Sequence, residues 1–189
     1  YEAYEKWRKE NKKLDFDDLM VQCKRLFLER QEVLCAWQQK FQYILIDEFQ
    51  DISPVQYEIV RMLALPDNNL FIVGDDDQSI YQFRGAKPEI MLNFQKDYPE
   101  AETVLLSENY RSVENIIRAA GKVIQNNHAR YPKDIHGVRE KGEPIELHGF
   151  VNQGQENAFV LEKVREYQKK GVSFKDMAVL FRTNTAARP

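Results

Sequence analysis

Two adjacent acidic residues, Asp47 and Glu48, directly follow an apolar run at residues 43–46 of the 189-residue chain. A magnesium nucleotide needs one carboxylate near the metal and a second that orients or deprotonates the attacking water. Asp47 and Glu48 suit these two roles in that order. The pair alone does not decide between a nucleotide site and the ordinary acidic end of a buried strand, because such short patterns recur by chance.

A second polar stretch, at residues 74–86, carries an amide beside aromatic rings and a guanidinium. Gln78 can donate to a phosphate oxygen while it accepts from a water, which suits contact with a terminal phosphate. Tyr81 and Phe83 beside Arg84 are typical of loops on which single-stranded bases stack. The alternative is that both rings pack under the loop and that Arg84 pairs with a nearby aspartate.

A third candidate, Arg111, lies between a predicted strand at residues 104–106 and a helix that Ser112 is expected to cap. A guanidinium held between two rigid elements can make bidentate contact with a phosphate. An ion pair with Glu114 is the competing explanation.

The elements that must position these side chains belong to an α/β fold. Apolar runs at residues 43–46 and 70–73 predict two strands that are buried on both faces. Between them, Ser53 and the following proline predict a helix that reaches about Ala64. A strand, a helix and a strand, with acids after both strands, indicate a right-handed βαβ unit in a mainly parallel sheet flanked by helices.

Other patterns extend this fold and suggest that the chain is part of a larger one. Asp15 is expected to cap a helix that runs to about Gln39, and residues 1–13 look like the end of an earlier helix. The polar residues 125–143 are expected to form an irregular, exposed connection. Three later elements are predicted, namely a strand at 145–150, a helix at 155–170 and a strand at 177–181. Because the chain starts with what looks like the end of a helix and stops just after a predicted strand, we expect it to be a fragment of a longer protein.

Composition narrows the function classes. The formal net charge is −3, so nucleic-acid binding would have to be local. Two cysteines and three scattered histidines lack the spacing of metal ligands, which argues against a zinc site and suits reduced thiols. No apolar run has membrane-spanning length and no signal peptide opens the chain, so we expect a cytoplasmic protein without a membrane partner.

Three motifs, in order, resemble those of one helicase family. Residues 47–51 are Asp-Glu-Phe-Gln-Asp, residues 74–86 are Gly-Asp-Asp-Asp-Gln-Ser-Ile-Tyr-Gln-Phe-Arg-Gly-Ala, and residues 109–112 are Asn-Tyr-Arg-Ser. They resemble helicase motifs II, III and IV of the UvrD/Rep/PcrA branch of superfamily I DNA helicases. Residues 182–184 resemble a DNA-contacting motif of the second motor domain in the same family, so the resemblance covers nearly the whole chain.

The resemblance implies a RecA-like fold of the P-loop NTPase type with two partial motor domains. Residues 1–111 would be the C-terminal part of the first domain (1A), with a helical stub of the inserted 1B subdomain at 1–13. Residues 112–189 would be the N-terminal part of the second domain (2A). The implied activity is that of an ATP-dependent 3′ to 5′ DNA helicase or translocase in DNA repair or replication. Implied partners are single-stranded DNA, junctions of single-stranded and duplex DNA, and repair or nuclease proteins.

Roles for single residues in the ATP cycle follow from the same resemblance. Asp47 would ligate Mg²⁺ and Glu48 would activate the hydrolytic water. Gln78 would contact the terminal phosphate of ATP and couple it to DNA. Tyr110 would stack on the adenine, and Arg111 would act as an arginine finger.

The resemblance also implies DNA contacts. Five side chains would make them: Tyr81, Phe83, Arg84, Arg182 and Asn184. Phe83 departs from the family pattern, which usually has Trp there, so base stacking should survive with less contact area.

The phosphate-binding loop of such motors, Gly-x-x-x-x-Gly-Lys-Ser/Thr, does not occur in this sequence. That loop makes most of the phosphate contacts, so the 189 residues alone are expected to be neither an ATPase nor a helicase. Two alternatives stay open for the parent protein. One is the motor part of a helicase-nuclease, and the other is a degenerate, non-catalytic DNA-binding module.

Overall fold

The computed structural model describes residues 1–183, and the chain divides into two compact units, Tyr1–Gly142 and Glu143–Pro189. The first unit contains α1 (Glu2–Glu10), α2 (Phe16–Glu29), α3 (Gln31–Lys40), β1 (Ile44–Ile46), α4 (Pro54–Ala64), β2 (Leu70–Ile72), α5 (Pro88–Leu92), α6 (Phe94–Asp97), β3 (Glu108–Asn109), α7 (Glu114–Ile124) and β4 (His136–Gly137). The second unit contains α8 (Gln153–Lys169). The predicted boundary between motor domains near residue 111 concerns the family's domain organisation and stays a prediction.

The predicted strand, helix and strand are present in the first unit. β1 and β2 pair in parallel, with Ile44 opposite Leu70 and Ile46 opposite Ile72, and α4 connects them. The α/β class is therefore confirmed. The prediction that these strands are buried on both faces was wrong. Leu45, between the paired isoleucines, is exposed, and no described element covers that face.

The core under this sheet is built around the aromatic ring of Phe49, which follows β1. Tyr57 of α4 and Phe94 of α6 meet this ring edge to face, at centroid distances of 5.9 and 5.7 Å. Ile52 completes the buried set, and the inward residues of β1 and β2 pack against it. The turn after β1 is thus anchored by a large apolar side chain.

Two of the predicted caps mark the helix starts correctly. Asp15 and Asp18 form a capping box at α2, and Ser53 and Gln56 form one at α4. The long helix predicted from Asp15 to about Gln39 was wrong, because Arg30 adopts a non-helical backbone (φ −128°, ψ 79°) and separates α2 from α3.

Three strand predictions were also wrong. None of the segments 104–106, 145–150 and 177–181 is a strand, since no described strand pairs with them. Instead, β3 pairs in parallel with β4, which lies in the stretch predicted to be irregular. Ser112 does not cap α7, whose N-cap is Val113 without a side-chain bond.

Among the described residues, no helix has the length and apolar character needed to cross a bilayer.

Candidate active site at the ends of the paired strands

Asp47 and Glu48 lie in a sharp turn at the carboxyl end of β1. Glu48 has a left-handed backbone (φ 52°, ψ 40°), which is uncommon outside glycine and costs about 1 kcal/mol or more. Asp47 Oδ1 accepts a hydrogen bond from the Glu48 backbone N–H at 2.9 Å. The next residue, Phe49, donates its N–H to the carbonyl of Val73 at 2.9 Å, which ties the turn to the end of β2. Both carboxylates are exposed, where a ligand could reach them.

Gln50 connects this turn to the loop that follows β2. Its side chain is almost fully buried, with the residue 1% exposed. Its Nε2 donates to Glu48 Oε2 at 2.7 Å, and its Oε1 accepts from the Asp75 backbone N–H at 3.0 Å. The two strand ends are therefore joined through one buried amide.

Gln78 is held by the same loop. Its Nε2 donates to Asp75 Oδ2 at 2.7 Å, at the end of the short 3-10 turn Asp76–Gln78. The structure thus brings Glu48 and Gln78 into one hydrogen-bonded chain through Gln50 and Asp75. Gln78 itself is exposed.

The three consecutive aspartates of this loop form a cluster with two cations. Lys133 Nζ lies 2.6 Å from Asp75 Oδ1, 2.5 Å from Asp76 Oδ1 and 3.2 Å from Asp77 Oδ2. Arg130 makes a bidentate pair with Asp77, at 2.8 and 2.6 Å. The hydrogen bonds from Arg130 are the main reason that the pKa of Asp77 is below its usual value, and they outweigh the opposing effect of burial.

The aromatic pair of this segment is presented outward. The rings of Tyr81 and Phe83 lie 6.0 Å apart, and the Arg84 guanidinium lies 5.2 and 5.3 Å from their centroids. Phe83 is 77% exposed, so the alternative that both rings pack under the loop does not hold for it. Arg84 contacts the rings, while the aspartates pair with the cations described above. A surface of two rings and a guanidinium can stack on bases.

The third candidate group lies in a turn after β3. Asn109 Oδ1 accepts from the backbone N–H groups of Arg111 and Ser112, at 3.0 and 2.9 Å, and Arg139 donates to the Arg111 carbonyl at 2.7 Å. Tyr110 is exposed and its hydroxyl donates to Glu108. This turn fixes the backbone of Arg111 and leaves its side chain accessible.

Glu114, the alternative partner considered for Arg111, binds elsewhere. The Glu114 carboxylate accepts from the Gly137 backbone N–H at 2.8 Å, and in the described part of the chain no ion pair joins it to Arg111. Nor does any hydrogen bond between described residues join Arg111 to Glu48. Arg182 belongs to the second unit and is exposed, and Asn184 lies outside the described residues.

Two family models match the chain over nearly its whole length. Residues 1–99 match the UvrD/REP helicase N-terminal domain, and residues 104–189 match the UvrD-like helicase C-terminal domain. The chain belongs to the UvrD/Rep helicase family. The resemblance to this family is confirmed.

Relatives within the UvrD/Rep family align with the whole chain. The ATP-dependent DNA helicase PcrA of Staphylococcus aureus (strain Mu50) is 44% identical over 188 residues, which are 100% of this chain and 26% of PcrA. YjcD of Bacillus subtilis (strain 168) is 47% identical over 188 residues, again 100% of this chain and 25% of YjcD. The chain thus spans about a quarter of the length of the curated relatives it matches.

Asp47 and Glu48 of this UvrD/Rep chain are suited to a metal ion that would arrive together with a nucleotide. Among the described residues, no group of three or more His, Cys, Asp or Glu side chains could hold a metal ion alone. Mg²⁺ commonly uses one or two carboxylates together with substrate phosphates, so a dedicated cage of protein ligands is not required. Asp47 is exposed and beside Glu48, so its carboxylate fits such a site.

Sequence reasoning missed three side chains that organise the site: Gln50, Arg130 and Lys133. Gln50 stands inside the acidic motif, where only its burial distinguishes it from a solvent-facing amide. The two cations lie in a stretch that was predicted to be an exposed connection. Their order, Arg-Tyr-Pro-Lys, carries no local signal, because their partners are more than 50 residues away.

Proposed function

We propose that this chain supplies the water-activating and phosphate-contacting half of the ATP site in an ATP-dependent DNA helicase or translocase. The observation that supports it most is the hydrogen-bonded chain from Glu48 through Gln50 and Asp75 to Gln78. It lies at the carboxyl ends of two parallel strands, where α/β sheets bind ligands. Membership of the UvrD/Rep family fits this function, as does the description of the PcrA relatives as ATP-dependent DNA helicases. The proposed fold of the complete motor is RecA-like.

In this proposal the cofactors are ATP and Mg²⁺. The magnesium ion would neutralise charge on the phosphates, and Asp47 would hold it through its carboxylate. Glu48 would orient the attacking water and accept its proton. Gln78 would exchange its bond with Asp75 for one to the terminal phosphate. Arg111 would stabilise charge on the transferred group, which is the role of an arginine finger.

The proposed DNA ligand is a single strand that stacks on the exposed rings of Tyr81 and Phe83. Arg84 would contribute a cation beside the bases. Arg182 and Asn184 would also contact DNA. Tyr110 would stack on the adenine of ATP. A net charge of −3 on the chain agrees with a local contact of this kind rather than a broad basic surface.

The proposal is tested by Glu48→Gln in the full-length polypeptide. We expect ATP binding to persist while the steady-state ATPase rate falls about 10²- to 10⁴-fold, the usual contribution of a general base. Glu100→Gln is the matched control, since Glu100 is exposed and makes none of the contacts described above. Undiminished turnover in Glu48→Gln would show that the water is activated elsewhere.

The same assay separates the alternatives. A full-length polypeptide that lacks Gly-x-x-x-x-Gly-Lys-Ser/Thr and hydrolyses no ATP would be the non-catalytic DNA-binding module. ATPase activity together with a nuclease domain elsewhere in the polypeptide would indicate the motor of a helicase-nuclease.

A further inference from the structure

Gln50 is the buried connection between the two loops of the candidate site, and no role was assigned to it from the sequence. It is 1% exposed and lies directly after Phe49, which is itself fully buried in the core. Its own backbone carbonyl accepts a bond from the Ser79 hydroxyl at 3.3 Å. The residue therefore holds the second loop at two points, through Asp75 and through Ser79.

The two partners of the Gln50 side chain require an amide. The Glu48 carboxylate can only accept, and the Asp75 backbone N–H can only donate, so the group between them must donate at one end and accept at the other. An ionised glutamate at position 50 could not donate to Glu48, and leucine could serve neither partner. These opposite demands also fix which way round the amide lies.

Gly74 provides independent evidence that the amide is tightly held. A Cβ placed on Gly74 would lie 2.6 Å from Gln50 Oε1 and 3.1 Å from the Phe49 nitrogen. Real Cβ atoms do not approach an oxygen so closely, so the backbone at the end of β2 comes near the amide only because position 74 is glycine. The Gln50 side chain is thus enclosed by backbone on the side of β2.

We propose that Gln50 is a positioning residue that links the Glu48 carboxylate to the Gln78 amide, so that the groups that meet the water and the terminal phosphate move together. This inference rests on the proposed function. The links are Gln50 to Glu48 at 2.7 Å, Gln50 to Asp75 at 3.0 Å and Gln78 to Asp75 at 2.7 Å. When Gln78 leaves Asp75 for a phosphate, the change in Asp75 reaches Glu48 through one side chain.

The test compares Gln50→Leu and Gln50→Glu with the unsubstituted full-length polypeptide. Leucine removes both bonds, whereas glutamate keeps the bond from Asp75 and, when ionised, places a second carboxylate against Glu48. We expect kcat for ATP to fall about 10- to 100-fold, the effect of misplacing a reacting group by about 1 Å. KM for ATP should change less than about twofold, because Gln50 contacts no part of the nucleotide in this proposal.

Two further variants complete the design. Gly74→Ala should give the same selective loss of kcat, because its Cβ displaces Oε1 of Gln50. When Gly74→Ala is combined with Gln50→Leu, kcat should fall by less than about twofold beyond its value in Gln50→Leu alone. Gln39→Leu on the exposed surface of α3 is the matched control and should leave both constants unchanged. Rates are expressed per folded molecule, so a loss of folded protein does not count as a loss of kcat.

The outcomes distinguish this inference from the function on which it rests. A full kcat per folded molecule in Gln50→Leu and Gly74→Ala, with Glu48→Gln inactive, would refute the positioning role alone. A rise in KM without a fall in kcat would also refute it. If the unsubstituted polypeptide does not hydrolyse ATP, or if Glu48→Gln remains active, the proposed function fails and this inference falls with it.

Discussion

Substituting Lys133 by methionine should destabilise the protein by about 3 kcal/mol, because it leaves three neighbouring carboxylates without their shared cation. The Lys133 side chain is 11% exposed and contacts Asp75, Asp76 and Asp77. Asp76 is the most enclosed of the three, with a side chain that is 2% exposed. Methionine keeps the unbranched apolar stem, so the loss concerns mainly the charge.

The magnitude follows from what each carboxylate retains. Removal of one partner from a buried ion pair costs about 3 to 5 kcal/mol. The lower end applies here because Asp77 keeps Arg130 and the side chain of Asp75 is 41% exposed to water. Asp76 keeps one hydrogen bond, from the Tyr131 backbone N–H at 2.8 Å.

Equilibrium unfolding in urea measures this loss. Lys6→Met is the matched control, since Lys6 is exposed and, among residues 1–183, pairs only with Glu10 on α1. A loss of about 0.5 kcal/mol or less is expected. Adding Asp76→Asn to Lys133→Met should recover at least half of the loss, because it removes the uncompensated charge. A loss below about 1 kcal/mol, or a double variant no more stable than the single one, would refute the assignment of a buried charge cluster.

Two other predictions concern the same loop. Phe83→Ala should weaken binding of a fluorescent single-stranded oligonucleotide by about 1–3 kcal/mol. Phe174→Ala, at another exposed phenylalanine, is the control and should leave binding unchanged. An unaltered anisotropy titration for Phe83→Ala would mean that its ring does not stack on a base. Arg130 lowers the folded-state pKa of Asp77. The stabilisation of the folded state by their ion pair is therefore present above the ordinary pKa of 3.8 and is lost as pH falls through the lowered value. Arg130→Met should therefore reduce stability at neutral pH and make it less sensitive to acid below pH 3.8, as followed by circular dichroism; an unchanged acid dependence would contradict this.

Some parts of the fold and the site could be predicted from the sequence because their causes are local. Asp15 and Ser53 cap helices through residues three positions away, and such contacts are visible in the sequence itself. The order of an apolar run, acids, a helix and another apolar run located the edge of the sheet and hence Asp47 and Glu48. The three motifs indicated the family for the same reason, since each is a short contiguous stretch.

Strand predictions were less dependable because a strand needs a partner. Residues 104–106 and 145–150 are apolar enough for strands, yet no described strand lies beside them. Conversely, the brief pairing of β3 with β4 joins segments that carry little strand signal. Hydrogen bonding between distant segments decided these cases, and a local pattern does not contain it.

Asp47, Glu48, Gln78 and Arg111 were identifiable from the sequence alone as residues capable of phosphate chemistry. Only the tertiary structure decided how they are held. It placed Gln50 between Glu48 and Asp75, and it brought Lys133 to the three aspartates. The physical reason is that burial and hydrogen-bond partners depend on which distant segments pack together, whereas the chemical capacity of a side chain is present in its residue type.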